Sequence, residues 1–137
     1  MPYTNRQVAE AIERIVLKFG EDYVYPDSER VDGDCRYASA DGSPSCLVGH
    51  VIHELSPEWF EELRRAEATS APRIGSSSGS FAVPDIPGIA GTISRRATAA
   101  LTVAQSLQDC GRAWGWALEG FCQELGPAFD ELYAEVK

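Results

Sequence analysis

A chain of 137 residues has the length of one domain, and at that length folding buries roughly two-thirds of the unfolded surface. Its 21 acidic against 12 basic residues leave a net charge of -9, which repels a phosphate backbone and argues against nucleic-acid binding, and the acids form no long run that would imitate a nucleic acid. The hydrophobic fraction is an ordinary 44%, and no apolar run approaches the ~20 residues of a membrane span.

The opening Met1-Pro2-Tyr3-Thr4-Asn5-Arg6 has none of the basic, apolar and small-residue blocks of a secretory signal, so the expected setting is the cytoplasm, with the four cysteines as thiols. The first helix starts at Thr4, whose side chain and that of Gln7 form the S/T-x-x-E/Q capping box. Val8, Ala11, Ile12, Ile15, Val16 and Phe19 recur at three- and four-residue spacings, and Gly20 stops the helix. Two β-prone runs follow, Asp22-Tyr23-Val24-Tyr25 and Cys35-Arg36-Tyr37-Ala38, separated by a turn-rich segment. They predict a small antiparallel hairpin lying against helices.

Ser43-Pro44 predicts the start of a second helix running to about Leu55, and Ser56-Pro57-Glu58 repeats the pattern for a third. In that third helix Trp59, Phe60 and Leu63 point inward, ahead of the charged Glu61, Glu62, Arg64, Arg65 and Glu67. Residues 69–91 shift to Ala-Pro, Gly-Ser and Pro-Gly composition and predict a long flexible loop. Phe81, Val83, Ile86 and Ile89 are apolar beads within it, with docking to the body and contact with a partner as equal alternatives. Ser94 caps a fourth helix with Ala97, Ala100, Leu101, Ala104 and Leu107 on one side. Trp114, Ala117, Leu118, Phe121 and Leu125 mark a fifth, and Pro127 opens a last helix with Phe129, Leu132, Tyr133 and Val136. The expected fold is one mainly helical α+β domain, about six helices packed with one small antiparallel β-hairpin.

The chemically suggestive stretch is the C-x10-C-x3-H-x2-H arrangement of Cys35, Cys46, His50 and His53. A helix from Cys46 to His53 would rise about 10.5 Å, near or beyond what a thiolate and an imidazole can bridge through one ion. The feasible zinc set is therefore Cys35, Cys46 and His50 with a fourth ligand from water or elsewhere. A thiol enzyme with Cys46 as nucleophile and His50 as its base is a further alternative, but no elbow or protease signature accompanies it. The plainer alternative comes from the helical wheel. Leu47, Val48, Val51, Ile52 and Leu55 share one side, and Cys46 and Gly49 make a small opposite side on which the hairpin can lie, with His50 and His53 at its rim.

Trp116 sits about 160° from the Trp114/Leu118/Phe121/Leu125 stripe, so it cannot share that core face, and Arg112 lies one turn before it. An exposed tryptophan suggests an interface anchor; packing beneath a neighbouring element, with Arg112 across the ring, is the alternative. Candidate partner contacts are thus Trp116, Arg112, Phe81 and Ile86.

Over Cys35-Arg36-Tyr37, Ser45-Cys46-Leu47-Val48-Gly49-His50-Val51-Ile52-His53 and Ala104-Gln105-Ser106-Leu107-Gln108-Asp109-Cys110-Gly111-Arg112-Ala113-Trp114-Gly115, the chain resembles a family of small uncharacterised proteins encoded by mycobacteriophages and related actinobacteria. The likeness covers roughly residues 8–65 and 93–120. It implies a setting, the cytoplasm of an infected bacterium, and no reaction. The expectation from all of this is a non-enzymatic module that binds and modulates a host protein, without cofactor, nucleic acid or membrane. A zinc-binding protein is the first alternative and a thiol enzyme the second.

Overall fold

The computed structural model describes residues 2–26, 36–69 and 82–126. Among these residues are six α-helices: α1 (Asn5–Phe19), α2 (Leu47–Leu55), α3 (Pro57–Thr69), the short α4 (Ile89–Thr92), α5 (Arg95–Asp109) and α6 (Trp114–Leu125), with a 3-10 turn at Val83–Asp85. Neither β-strand nor sheet occurs among the described residues, so the expected hairpin and the α+β class are corrected to an all-helical fold. The only pairing left among them is an isolated bridge between Ala38 and Pro44.

The physical reason lies in what holds the two β-prone runs. Tyr25 is buried, and its hydroxyl shares a 2.6 Å hydrogen bond with that of Ser45. The Tyr23 carbonyl accepts from Trp114 N (2.7 Å) and the Glu21 carbonyl from Gly115 N (2.9 Å). These backbone groups satisfy the first turn of α6, whose orphan N–H groups need acceptors, so they are not free for a strand ladder. Tyr37 and Ala38 donate their N–H groups to the Glu67 carboxylate at 2.9 and 3.0 Å.

The helix starts follow their caps. Thr4 and Gln7 make both bonds of the capping box, at 3.0 and 2.8 Å. Ser56 Oγ accepts from Trp59 N and Ser94 Oγ from Ala97 N. The second helix starts three residues later than Ser43-Pro44 predicts, because Ser45 N and Cys46 N donate to Tyr37 and Arg36 carbonyls and keep that stretch extended. Cys46 is the N-cap residue but makes no side-chain cap. Gln108, reaching across from α5, supplies it: its Oε1 accepts from Leu47 N at 2.8 Å.

One core joins these helices. The apolar stripe of α1 (Val8, Ala11, Ile12, Ile15, Val16) is buried, as are Leu47, Val48, Val51 and Ile52 of α2 and Leu101, Trp114, Phe121 and Leu125 of α5 and α6. Burying each large side chain is worth about 1.5–3 kcal/mol. Helices α5 and α6 lie against one another, with Gly120 facing Val103 and Leu107.

Part of the expected loop is ordered structure. Val83, Ile86, Ile89 and Ile93 are buried, and Trp59 Nε1 donates to the Pro87 carbonyl at 2.8 Å. Tyr3 fastens the same segment from the other side, its N–H donating to Thr92 O and its hydroxyl to Leu55 O. Residues 70–81 and the expected last helix after Pro127 lie outside the described residues.

Candidate functional site

The central stretch is built as core. Gly49 sits so close beneath the 36–38 segment that a Cβ there would lie 2.1 Å from the Tyr37 carbonyl oxygen. The small side of α2 therefore receives a neighbouring chain segment, as the wheel suggests, though a loop takes the place of the hairpin. Cys46 is fully buried at the helix start, so a substrate would reach its sulfur only through local opening. His50 stacks edge-on against Phe19 (4.8 Å between centroids) and lies 5.8 Å from Trp114, and these rings together with Tyr23 form one aromatic cluster. Burial, with smaller contributions from Lys18 and His53, pushes the His50 pKa down to about 4, so the imidazole is neutral at physiological pH. His53 is exposed and packs its ring against Phe60 at 5.3 Å.

Cys35, the third member of the expected zinc set, lies outside the described residues. Among those described, no three His, Cys, Asp or Glu side chains converge as a metal site would need. Cys110 and Cys122 form no disulfide among the described residues.

Glu67 is the functional-looking residue that its sequence position hides. It sits in a charged run at the end of α3, yet its side chain is buried, accepting from two loop N–H groups with Arg36 Nε 3.8 Å from Oε1. The arrangement fixes the 36–38 segment to the end of α3. Burial, reinforced by Cys46, Glu67, Asp109 and Asp85, pushes the neighbouring Tyr37 phenol far above its ordinary value, so Tyr37 serves as a neutral group. Gln105 on α5 is also buried, and its Oε1 has no hydrogen-bond partner among the described residues.

The candidate partner contacts separate. Ile86 is only 2% exposed and belongs to the core, which corrects its expected role in binding: the 3-10 turn and the Trp59 anchor roll it inward. Phe81 lies outside the described residues. Trp116, by contrast, is 57% exposed, and the Arg112 guanidinium lies 5.2 Å from its ring centroid. Trp114, two positions earlier, is fully buried, so α6 begins with one indole inward and one outward. Trp116 borders a groove of about 390 Å³ lined by Glu21, Asp22, Gly115, Leu118 and Glu119. Its walls are fixed by backbone: Gly115 N donates to Glu21 O, and a Cβ on Gly115 would lie 2.8 Å from that same oxygen. Glycine at 115 is what lets the acidic turn lie this close to the tryptophan.

No described helix is long and apolar enough to cross a membrane. Compared with protein-family models, curated proteins and solved structures, the chain matches none of them.

Proposed function

We propose that the protein is a non-enzymatic binding module that docks on a partner protein through the Trp116 face of α6. The observation that carries this reading is the exposed indole itself. Among the described residues Trp116 is one of three large apolar side chains in solvent, with Leu17 and Val24, and it lines a groove of about 390 Å³. A tryptophan loses much when hydrated and contributes strongly when a partner covers it, which is why such residues anchor interfaces. The Arg112 guanidinium, 5.2 Å from the ring centroid, favours this placement of the indole before a partner arrives. The resemblance to phage and actinobacterial proteins makes a protein of an actinobacterial host the proposed partner, in its cytoplasm.

The test is affinity purification from an actinobacterial lysate with quantitative mass spectrometry, comparing the native chain, Trp116→Ala and the control Leu17→Ser. The reading expects one host protein near stoichiometry, retained with Leu17→Ser and lost with Trp116→Ala. Equal recovery with Trp116→Ala would remove it.

A further inference from the structure

We propose that the groove beside Trp116 receives an arginine or lysine side chain from a basic segment of the partner protein. This inference rests on the reading of α6 as a docking face and names the chemistry of its occupant. Three exposed carboxylates, Glu21, Asp22 and Glu119, line the groove around the indole, and the chain as a whole carries a charge of -9. An acidic segment, a phosphate or an anionic lipid surface is repelled by that arrangement, whereas a cation is drawn to it.

The floor suits the rest of such a side chain. Leu118 offers apolar surface to an aliphatic stem, whose charged head then reaches the carboxylates. The Trp116 ring already takes a guanidinium, that of Arg112, 5.2 Å from its centroid, so stacking a cation is a geometry this residue adopts within its own chain. A groove of about 390 Å³ has room for a long side chain and its immediate backbone. The backbone that carries two of the carboxylates is already held beside the indole. The turn that carries Glu21 and Asp22 is tied to α6 by the Glu21–Gly115 and Tyr23–Trp114 backbone hydrogen bonds.

The probe is an N-acetylated, C-amidated peptide of alternating arginine and glycine, titrated calorimetrically into the full chain. The control is the same peptide with citrulline for arginine, which keeps the shape and removes the charge. The expected result is saturable binding of the arginine peptide at least tenfold tighter than the citrulline peptide, weakening severalfold between 50 and 200 mM salt. Trp116→Ala should abolish it, and so should the combined Glu21→Gln, Asp22→Asn and Glu119→Gln variant, with unfolding temperatures unchanged. Equal binding of both peptides, no saturable binding, or full affinity in the neutralised variant would overturn the inference. The two readings fail separately. A captured host protein lost with Trp116→Ala but indifferent to salt and to the neutralised carboxylates would keep the docking face and reject its cationic occupant. Charge-dependent binding of the arginine peptide, with no Trp116-dependent partner in the lysate, would do the reverse.

Discussion

Replacing Gly49 with alanine perturbs the contact on which the central region depends. The new Cβ would lie 2.1 Å from the Tyr37 oxygen and 3.0 Å from its carbonyl carbon, against an ordinary carbon contact of about 3.5–4.0 Å. Both sides of this contact are backbone, so no side-chain rotation relieves it. The loop must move by more than an ångström, and it is held there by Glu67 bonds to Tyr37 N and Ala38 N and by the Ser45 N bond to Tyr37 O. Bonds to a charged acceptor contribute about 1.5–3 kcal/mol each. Losing one or two of them, offset by about 1 kcal/mol from the better helix propensity of alanine, leaves a net destabilisation of about 3 kcal/mol. For a domain of this size that lowers the unfolding temperature by roughly 10 °C. Gly91→Ala in α4 is the matched control, because a Cβ added there would meet nothing within 4 Å; it should be neutral or stabilising by up to about 1 kcal/mol. Urea unfolding followed by tryptophan fluorescence measures both, compared at constant m-value. A Gly49→Ala protein as stable as the native chain would refute the close approach of the loop to α2.

The Glu67→Gln variant keeps the shape but presents an amide N–H₂ to one of two N–H donors, and should lose about 2–3 kcal/mol in the same assay; a change below ~0.5 kcal/mol would contradict the buried carboxylate anchor. His50 gives a pH dependence with a defined sign. Its folded pKa of about 4 lies below the ordinary 6.5, so the unfolded chain takes up the proton first, and stability should fall as pH drops from about 6.5 to about 4 and level off below. Discounted for the solvent that reaches the ring, the His50 share is about 1–2 kcal/mol, and His50→Phe should remove that component while keeping the fold. Loss of folding in His50→Phe, or on adding a chelator to the native chain, would instead favour the zinc alternative. Gln105→Leu deletes a buried acceptor that has no partner among the described residues together with the long 3.3 Å bond from Gln105 Nε2 to Asp109 Oδ1, so the two effects offset and stability should change by less than about 1 kcal/mol; a loss well above that would show that the Gln105 amide is held by more than the Asp109 bond.

Local chemistry is readable in the sequence where one short stretch carries its own reason. Thr4 with Gln7, Ser56 and Ser94 cap the helices that begin after them, and the period of Val8 to Val16 marks the face that is buried. The absence of a hairpin is not readable, because Tyr25 and Tyr37 look β-prone while their hydrogen bonds go to Ser45 and Glu67, 20 and 30 residues away in sequence. Glu67 looks like one more surface charge, since nothing in the α3 sequence announces two loop N–H groups in need of an acceptor. Ile86 looks like a loop bead because a 3-10 turn has no long period to reveal a buried face. Gln108, which caps α2 from α5, gives no signal for the same reason as Glu67: its partner is remote in sequence.

At the candidate site the pattern divides in the same way. The angle of Trp116 to the Trp114 stripe excludes the core face but leaves exposure and packing under a neighbour open, and only the position of Arg112 one turn earlier follows from helix spacing. The acidic rim does not, because Glu21 and Asp22 arrive from the end of α1 through a contact that only a glycine at 115 permits.

Docking of a partner on the Trp116 face can be read from hydrogen exchange of the protein alone and saturated with the host protein it captures. New protection should concentrate at residues 20–24 and 112–119 and disappear when the complex is attempted with Trp116→Ala. Protection confined to other parts of the chain, with 112–119 exchanging as in the free protein, would contradict it.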